Sequence, residues 1–131
     1  MPAQGGMKQG DPGAVGMGVK HRYYTFTGSK PLAAFRIPAK GCTVGIVKTT
    51  TALKVQMAAY QAALTTPPAM VDASAATVAA DGGMVSRPAQ PGEIFVFEHD
   101  DGTTNIGTVT FVLEGDELPA TLAALGIVEP A

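Results

Sequence analysis

Glycine and proline interrupt this chain too often for long helices to dominate it. There are sixteen glycines and ten prolines among 131 residues, well above the combined share of roughly 12% that is usual. Tryptophan is absent and other aromatic residues are few, so the composition favours a loop-rich, mainly β protein. The length allows one domain whose core needs no disulfide or metal. The single cysteine, Cys42, excludes an internal disulfide framework.

Short runs rich in β-branched and aromatic residues predict the strands. KHRYYTFTG (20–28), LAAFRIP (32–38) and TVGIVK (43–48) lie close together, which predicts a meander or hairpins. EIFVFEH (93–99) and NIGTVTFVLEG (105–115) are separated by a turn containing Asp-Gly, a strong hairpin signal. Both of these runs are apolar at nearly consecutive positions, which predicts strands buried on both faces.

The stretch 51–64 has the spacing of a helix. Leu53 and Met57 begin a stripe of apolar residues that continues through Tyr60 and Leu64, with good helix formers between them. We therefore predict the longest helix here. A strand is the alternative, because Leu53, Val55 and Met57 also alternate with polar residues.

Two further stretches are expected to be short helices or loops. The region 66–93 is rich in Ala, Pro, Gly and Ser, and its part 69–80 is either a short helix or an extended surface excursion. Residues 116–130 predict a short helix with Pro119 near its first turn and Gly126 just after its end. The expected fold is mainly β (α+β): a compact antiparallel β-sandwich or barrel-like domain over residues 19–131, with one to three short helices.

An extended N-terminal arm is predicted for residues 1–18. This segment contains six glycines, two prolines and no aromatic residue, so it is flexible when free. An arm of this kind binds by becoming ordered and must bury apolar side chains in doing so. The arm residues predicted to contact a partner are Met7, Val15, Met17 and Val19.

Charge is divided unevenly along the chain. Residues 1–60 contain eight Lys and Arg against one acidic residue, and residues 61–131 contain one Arg against ten acidic residues. One interpretation is that the two halves fold together and neutralise each other. The other is a subunit with one basic and one acidic face, suited to contact with copies of itself or with a charged partner. For that second interpretation the predicted partner-binding residues are Lys20, Arg22, Asp100 and Asp101.

The segment EHDD (98–101) is the one cluster that merits testing as a metal or catalytic site. Glu98, His99, Asp100 and Asp101 carry suitable oxygen and nitrogen ligands. Adjacent strand residues point to opposite faces, however, so at most two of these four can converge. A polar hairpin tip is the favoured interpretation, and a small binding module or enzyme built on this hairpin is the minor alternative.

Two other patterns are weighed against simpler explanations. Cys42 could act as a nucleophile beside His21 or His99, but a buried core cysteine is the commoner case. Tyr23, Tyr24 and Phe26, flanked by Lys20 and Arg22, could stack on single-stranded nucleic acid, although a half-buried strand explains them better. We predict no catalytic residues, cofactor, metal or membrane span, and regard a nucleic-acid partner as unfavoured.

In its arm, β-rich body, Ala/Thr/Gly-heavy composition and lone cysteine, the chain resembles the small structural proteins that decorate or cement tailed-bacteriophage capsids. The resemblance covers the whole chain loosely and transfers no site residue. It implies a homo-oligomer, with a trimer favoured, that binds capsid or other virion subunits and stabilises the shell without catalysis. The location implied is the virion, assembled in the host cytoplasm. Another virion part, such as a tail-tube, connector or fibre-base subunit, is the alternative.

Overall fold

The structure, a computed structural model, describes residues 20–71, 75–84 and 87–130. These residues form eight strands and one short helix. The strands are β1 (Lys20–Gly28), β2 (Leu32–Arg36), β3 (Cys42–Thr49), β4 (Leu53–Ala58), β5 (Ala76–Val78), β6 (Arg87–Ala89), β7 (Ile94–His99) and β8 (Gly107–Gly115). The helix, α1, spans Leu122–Leu125. The prediction of a mainly β fold is confirmed.

Two antiparallel four-stranded sheets make up the sandwich, in the orders β1-β8-β3-β6 and β2-β7-β4-β5. Consecutive strands mostly lie in opposite sheets, and only β4 and β5 are consecutive strands that pair with each other. This is the strand order of a jelly roll, the eight-stranded double sheet built from two Greek keys. The antiparallel β-sandwich predicted from the sequence is therefore correct.

Aromatic rings fill the space between the sheets. Phe111 of β8 is completely buried and lies 5.2 Å from the ring of Phe35 and 5.4 Å from that of Tyr24, both stacked on it. Phe97 of β7 approaches the same ring from the opposite sheet, at 6.4 Å. Because strand side chains alternate between faces, one residue in two from each strand reaches this core.

A second, smaller cluster lies on the outer face of the β2-β7-β4-β5 sheet. Ala34, Ile94 and Val96 are completely buried there, beneath the chain that follows β4. We call residues 59–71 the strap, and Leu64 and Met70 are its members packed on this cluster. The strap explains why β7 is buried on both faces, as the sequence predicts.

Both ends of the strap are attached to the sheet below. At its start, the Tyr60 ring lies 5.3 Å from the Arg36 guanidinium, and a Cβ on Gly92 would be only 2.7 Å from that ring. At its end, the backbone N–H of Val71 donates to Oε1 of the largely buried Gln56 at 2.6 Å. The strap is thus an anchored covering segment, stabilised by a cation–π contact at one end and a hydrogen bond at the other.

The predicted hairpin between 93–99 and 105–115 is wrong. β7 pairs with β2 and β4, whereas β8 pairs with β1 and β3. The connection 100–106 is long enough to cross the roughly 10 Å between packed sheets, so it joins the two sheets. It enters β8 at Gly107, which has a φ of +81°. A Cβ at this position would lie only 2.6 Å from Oγ1 of Thr50, so there is no room for a side chain.

The predicted burial of β8 on both faces is also wrong, because only Val109, Phe111 and Leu113 are fully buried.

The predicted helix over 51–64 is wrong as well, and the alternative strand is correct. Residues 53–58 form β4, in which Leu53 and Val55 are buried and face the core. The helical stripe of the sequence arose because Tyr60 and Leu64 belong to the strap, where Leu64 packs on the outer face of the sheet and Tyr60 is largely exposed. Backbone pairing to both β5 and β7 outweighs the local helix propensity.

The remaining local predictions have mixed outcomes. β1, β2 and β3 form where expected, but none pairs with another, so the predicted meander is wrong. Within the described part of 66–93 the regular elements are the short strands β5 and β6, and no helix is present there. The C-terminal helix is only one turn, and Gly126 ends it in the left-handed conformation as predicted. The predicted place of Pro119 at its start is wrong, because Thr121 is the N-cap and its Oγ1 caps the helix.

Candidate functional site

On the outer face of the β1-β8-β3-β6 sheet, side chains of three neighbouring strands form regular rows. The register aligns Thr27 with Thr108, and in the next row Thr25 with Thr110 and Lys48. A third row places Tyr23 beside Val112 and Gly45, and a fourth places His21 beside Glu114 and Thr43. We call the side chains of these four rows the threonine face.

Hydroxyl pairs connect neighbouring strands across this face. Oγ1 of Thr25 lies 3.1 Å from Oγ1 of Thr110, and Oγ1 of Thr27 lies 3.0 Å from Oγ1 of Thr108. Such cross-strand threonine pairs stabilise the sheet modestly. Because threonine is β-branched and stiff at χ1, ordering these side chains on binding costs little conformational entropy. The face offers methyl groups and hydroxyls with few charges.

Tyr23 is the largest exposed apolar side chain on the threonine face, with 66% of its surface accessible. Val47, the extra residue of a bulge in β3, is also exposed. Tyr23 shares its row with the uncharged Val112 and Gly45, while Lys48 and Glu114 lie in the two neighbouring rows. Exposed tyrosines are typical of the energetic centres of protein interfaces, and charged residues surround such centres more often than they lie within them. Chemically, this surface can bind a protein surface by apolar contact and neutral hydrogen bonds.

The three aromatic residues of β1 do not form a stacking platform. Tyr24 is buried, is stacked on Phe111 and donates its hydroxyl to the Pro119 carbonyl at 2.7 Å. Phe26 packs edge-on against Phe97 inside the sandwich. Only Tyr23 is exposed, because alternate residues of β1 face opposite sides. Burial raises the pKa of the Tyr24 phenol, an effect that nearby Arg22 partly offsets.

The residues predicted for charged contacts lie at opposite ends of the sandwich. Lys20 and Arg22 are exposed at the start of β1, opposite the end of β8. Asp100 and Asp101 lie in the connection that leads to the other end of β8. β1 spans about 26 Å at roughly 3.3 Å per residue. A single partner that contacted both pairs would therefore have to extend along the whole length of the sandwich.

The uneven charge of the two sequence halves does not produce two separate halves in space. In both sheets, strands from residues 1–60 alternate with strands from residues 61–131. Lys54 is the cross-strand neighbour of Glu98, and Nε2 of His21 contacts the carboxylate of Glu114. This interleaving supports the interpretation that the two halves neutralise each other.

The Asp101 carboxylate is occupied within its own turn. Its Oδ1 accepts backbone N–H bonds from Thr103 and Thr104, each at 2.8 Å, and its Oδ2 accepts from the Thr104 hydroxyl at 2.5 Å. These hydrogen bonds to the charged form, helped by His99, lower the pKa of Asp101 well below its usual range. Nδ1 of His99 lies 3.0 Å from Oδ1 of Asp101.

Nowhere in the described chain do three or more His, Cys, Asp or Glu side chains come together as metal ligands.

Cys42 is partly buried at the start of β3. Burial raises the pKa of its thiol to about 11, so the neutral thiol predominates at physiological pH. That is opposite to the activation a nucleophilic cysteine needs.

The four apolar arm residues, Met7, Val15, Met17 and Val19, lie outside the described residues. The segment that contains them is followed in the chain by β1, the strand that contributes Tyr23 to the threonine face.

Sequence reasoning missed the threonine face. Its local signal was the pair of Thr-x-Thr patterns, TFT at 25–27 and TVT at 108–110. Their side chains meet only because β1 pairs with β8, across more than eighty residues of sequence.

No family model, curated protein or solved structure matches this chain. Among residues 20–71, 75–84 and 87–130, no helix has the length and hydrophobicity to cross a membrane.

Proposed function

We propose that this protein is a structural subunit of a virion, a decoration or cement protein that binds an assembled capsid shell and stabilises it. The observation that carries this proposal is the threonine face, a broad surface with few charges and an exposed Tyr23. Its chemistry is that of a protein-binding surface. The N-terminal segment precedes β1, the strand that carries Tyr23, and the proposal assigns shell binding to this segment and to the threonine face.

The fold supports the proposal without selecting it. Jelly rolls occur in viral capsid proteins, and also in lectins and cupins, and a fold alone does not determine function. On a shell, the many copies of the binding site supply avidity, so each contact between arm, face and shell can be weak.

Co-sedimentation with tailed-phage shells purified without this protein tests the proposal. The full chain is expected to bind, and a chain lacking residues 1–18 is expected to remain folded but to lose binding. Tyr23→Ser is expected to weaken binding at least tenfold, the loss of about 1.4 kcal/mol that an interface tyrosine can contribute.

Tyr60→Ser is the matched control, because Tyr60 is equally exposed, at 64%, but lies on the strap. Equal binding of the full and truncated chains would rule out the arm, and equal effects of the two tyrosine substitutions would rule out the threonine face. Rings or tubes of the purified protein in negative-stain images would favour the tail-tube or connector alternative.

A further inference from the structure

Three of the four sheet edges carry features that hinder the addition of another strand. β5 and β6 are three residues long, and β6 has Pro88 at its centre. At the edge of β2, Ala34 donates to the Val128 carbonyl at 3.0 Å and accepts from the Val128 N–H at 2.8 Å. Short strands, proline and a covering segment are the usual means of blocking unwanted strand pairing.

β1 is an edge strand without these features. It is nine residues long, contains no proline, and pairs with β8 in an unbroken register. Residues 23–28 carry no charged side chain. Apart from the bonds to β8, no backbone–backbone hydrogen bond joins β1 to the rest of the described chain.

The backbone groups that face this open edge can be identified. Thr108 of β8 accepts from the Thr50 N–H at 3.0 Å and donates its own N–H to Thr50 Oγ1 at 3.0 Å, so both its groups point away from β1. Thr27 and Thr108 are therefore a non-hydrogen-bonded pair. Because the two kinds of pair alternate in an antiparallel ladder, the N–H and C=O groups of His21, Tyr23, Thr25 and Thr27 all point outward.

We propose that the β1 edge pairs with the β1 edge of a second copy, antiparallel, about a two-fold axis at Tyr24. This register places His21 opposite the second copy's Thr27, and Tyr23 opposite the second copy's Thr25. All four outward residues then form hydrogen-bonded pairs, which gives about eight backbone hydrogen bonds across the interface. The two β1-β8-β3-β6 sheets become one continuous eight-stranded sheet.

Charge complementarity supports a second copy as the occupant. The same register places Lys20 opposite the second copy's Gly28, on the inward side of the strand. Glu129 occupies that side: its Oε2 lies 3.3 Å from the position of a Cβ on Gly28, and its carboxylate is held by the N–H and hydroxyl of Ser29. Each copy thus places a cation beside the other copy's carboxylate, at both ends of the seam.

The oligomeric state of the full chain tests the pairing. Analytical ultracentrifugation of the unaltered protein is expected to give twice the chain mass of 13.3 kDa. Thr25→Pro removes an outward N–H while leaving the bonds to β8, so it is expected to give a monomer. Thr25→Ala is the matched control, since it loses the same hydroxyl but keeps the N–H, and it is expected to remain a dimer.

A charge exchange provides a second test that does not depend on proline in a strand. Lys20→Glu is expected to raise the dimer dissociation constant at least tenfold. The double variant, Lys20→Glu with Glu129→Lys, is expected to reverse at least half of that change in the logarithm of the dissociation constant. Amide hydrogen exchange at Tyr23, Thr25 and Thr27 is expected to slow as protein concentration rises.

Several results would overturn the pairing. These are a monomer or a trimer for the unaltered chain, a dimer for Thr25→Pro as stable as that of Thr25→Ala, and edge amides whose protection does not change with concentration. If the protein is a monomer and the β1 edge amides are protected at every concentration, another part of the same chain covers that edge. Shell binding is not measured in these experiments, so the pairing and the virion role can fail separately.

Discussion

At the scale of single residues, Asp101 shows how an acidic cluster in a sequence can be used for local structure. EHDD contains four potential metal ligands, but Asp101 directs both carboxylate oxygens to donors within three residues of itself. Asp and Asn bind their own following backbone in turns for this reason. The carboxylate is exposed, and its function in the fold is to close the connection between the sheets.

Asp101→Asn is expected to lower the melting temperature at neutral pH, by an amount that shrinks in acid. The folded-state pKa is depressed, so the stabilisation is fully present above the unfolded value of about 3.9 and is lost as pH falls through the folded value. Thermal unfolding followed by circular dichroism between pH 7 and pH 2 measures this. Asp100→Asn, a change at the exposed neighbouring residue, is the control. A difference from the unaltered protein that stays constant across this range would contradict the role of the charge.

At the scale of elements, the sequence predicted most strands but not their partners. Short runs rich in β-branched and aromatic residues located β1, β2, β3, β7 and β8. Pairing depends on contacts between residues far apart in the chain, which local patterns do not encode, so the Asp-Gly signal at 101–102 was mistaken for a hairpin. β4 was misassigned because apolar residues of a strand and of the strap after it happened to fall at helical spacing. The threonine face was also missed, because it forms only when β1 pairs with β8 and local sequence patterns do not reveal that pairing.

The strap is expected to depend on its hydrogen bond to Gln56. Gln56→Met preserves side-chain length but removes the carbonyl oxygen that accepts from Val71. Losing one such bond, worth about 1 kcal/mol, is expected to speed amide exchange within residues 59–71 roughly fivefold and to leave the core strands unchanged. Gln61→Met, at an exposed strap position, is the control. Slower or unchanged exchange in Gln56→Met would show that this hydrogen bond does not hold the strap in place.

At the scale of the whole molecule, the two sheets depend on one aromatic centre. Phe111 contacts rings from both sheets, and its removal would leave a cavity that the neighbouring rigid rings cannot fill.

Phe111→Ala is therefore expected to lower the free energy of unfolding by about 3 to 5 kcal/mol, a large part of the 5 to 15 kcal/mol typical of a domain. Urea denaturation of this variant and of Tyr23→Ala, an aromatic truncation on the outer face of the neighbouring strand, provides the comparison. A loss below about 1 kcal/mol for Phe111→Ala would mean that the core repacks.

The alternation of early and late strands has a consequence for synthesis on the ribosome. β7 and β8 are the central partners of β1, β2, β3 and β4, yet they are translated after all of them. The first sixty residues therefore leave the exit tunnel with no sheet to join, and closing such distant contacts makes folding slow. β1 and β3 stay unpaired and exposed until β8 has been translated. The protein is therefore most prone to aggregation, and most accessible to chaperones, while it is a nascent chain. A premature stop before residue 107 would release a polypeptide in which β1 and β3 never acquire the strand that pairs them.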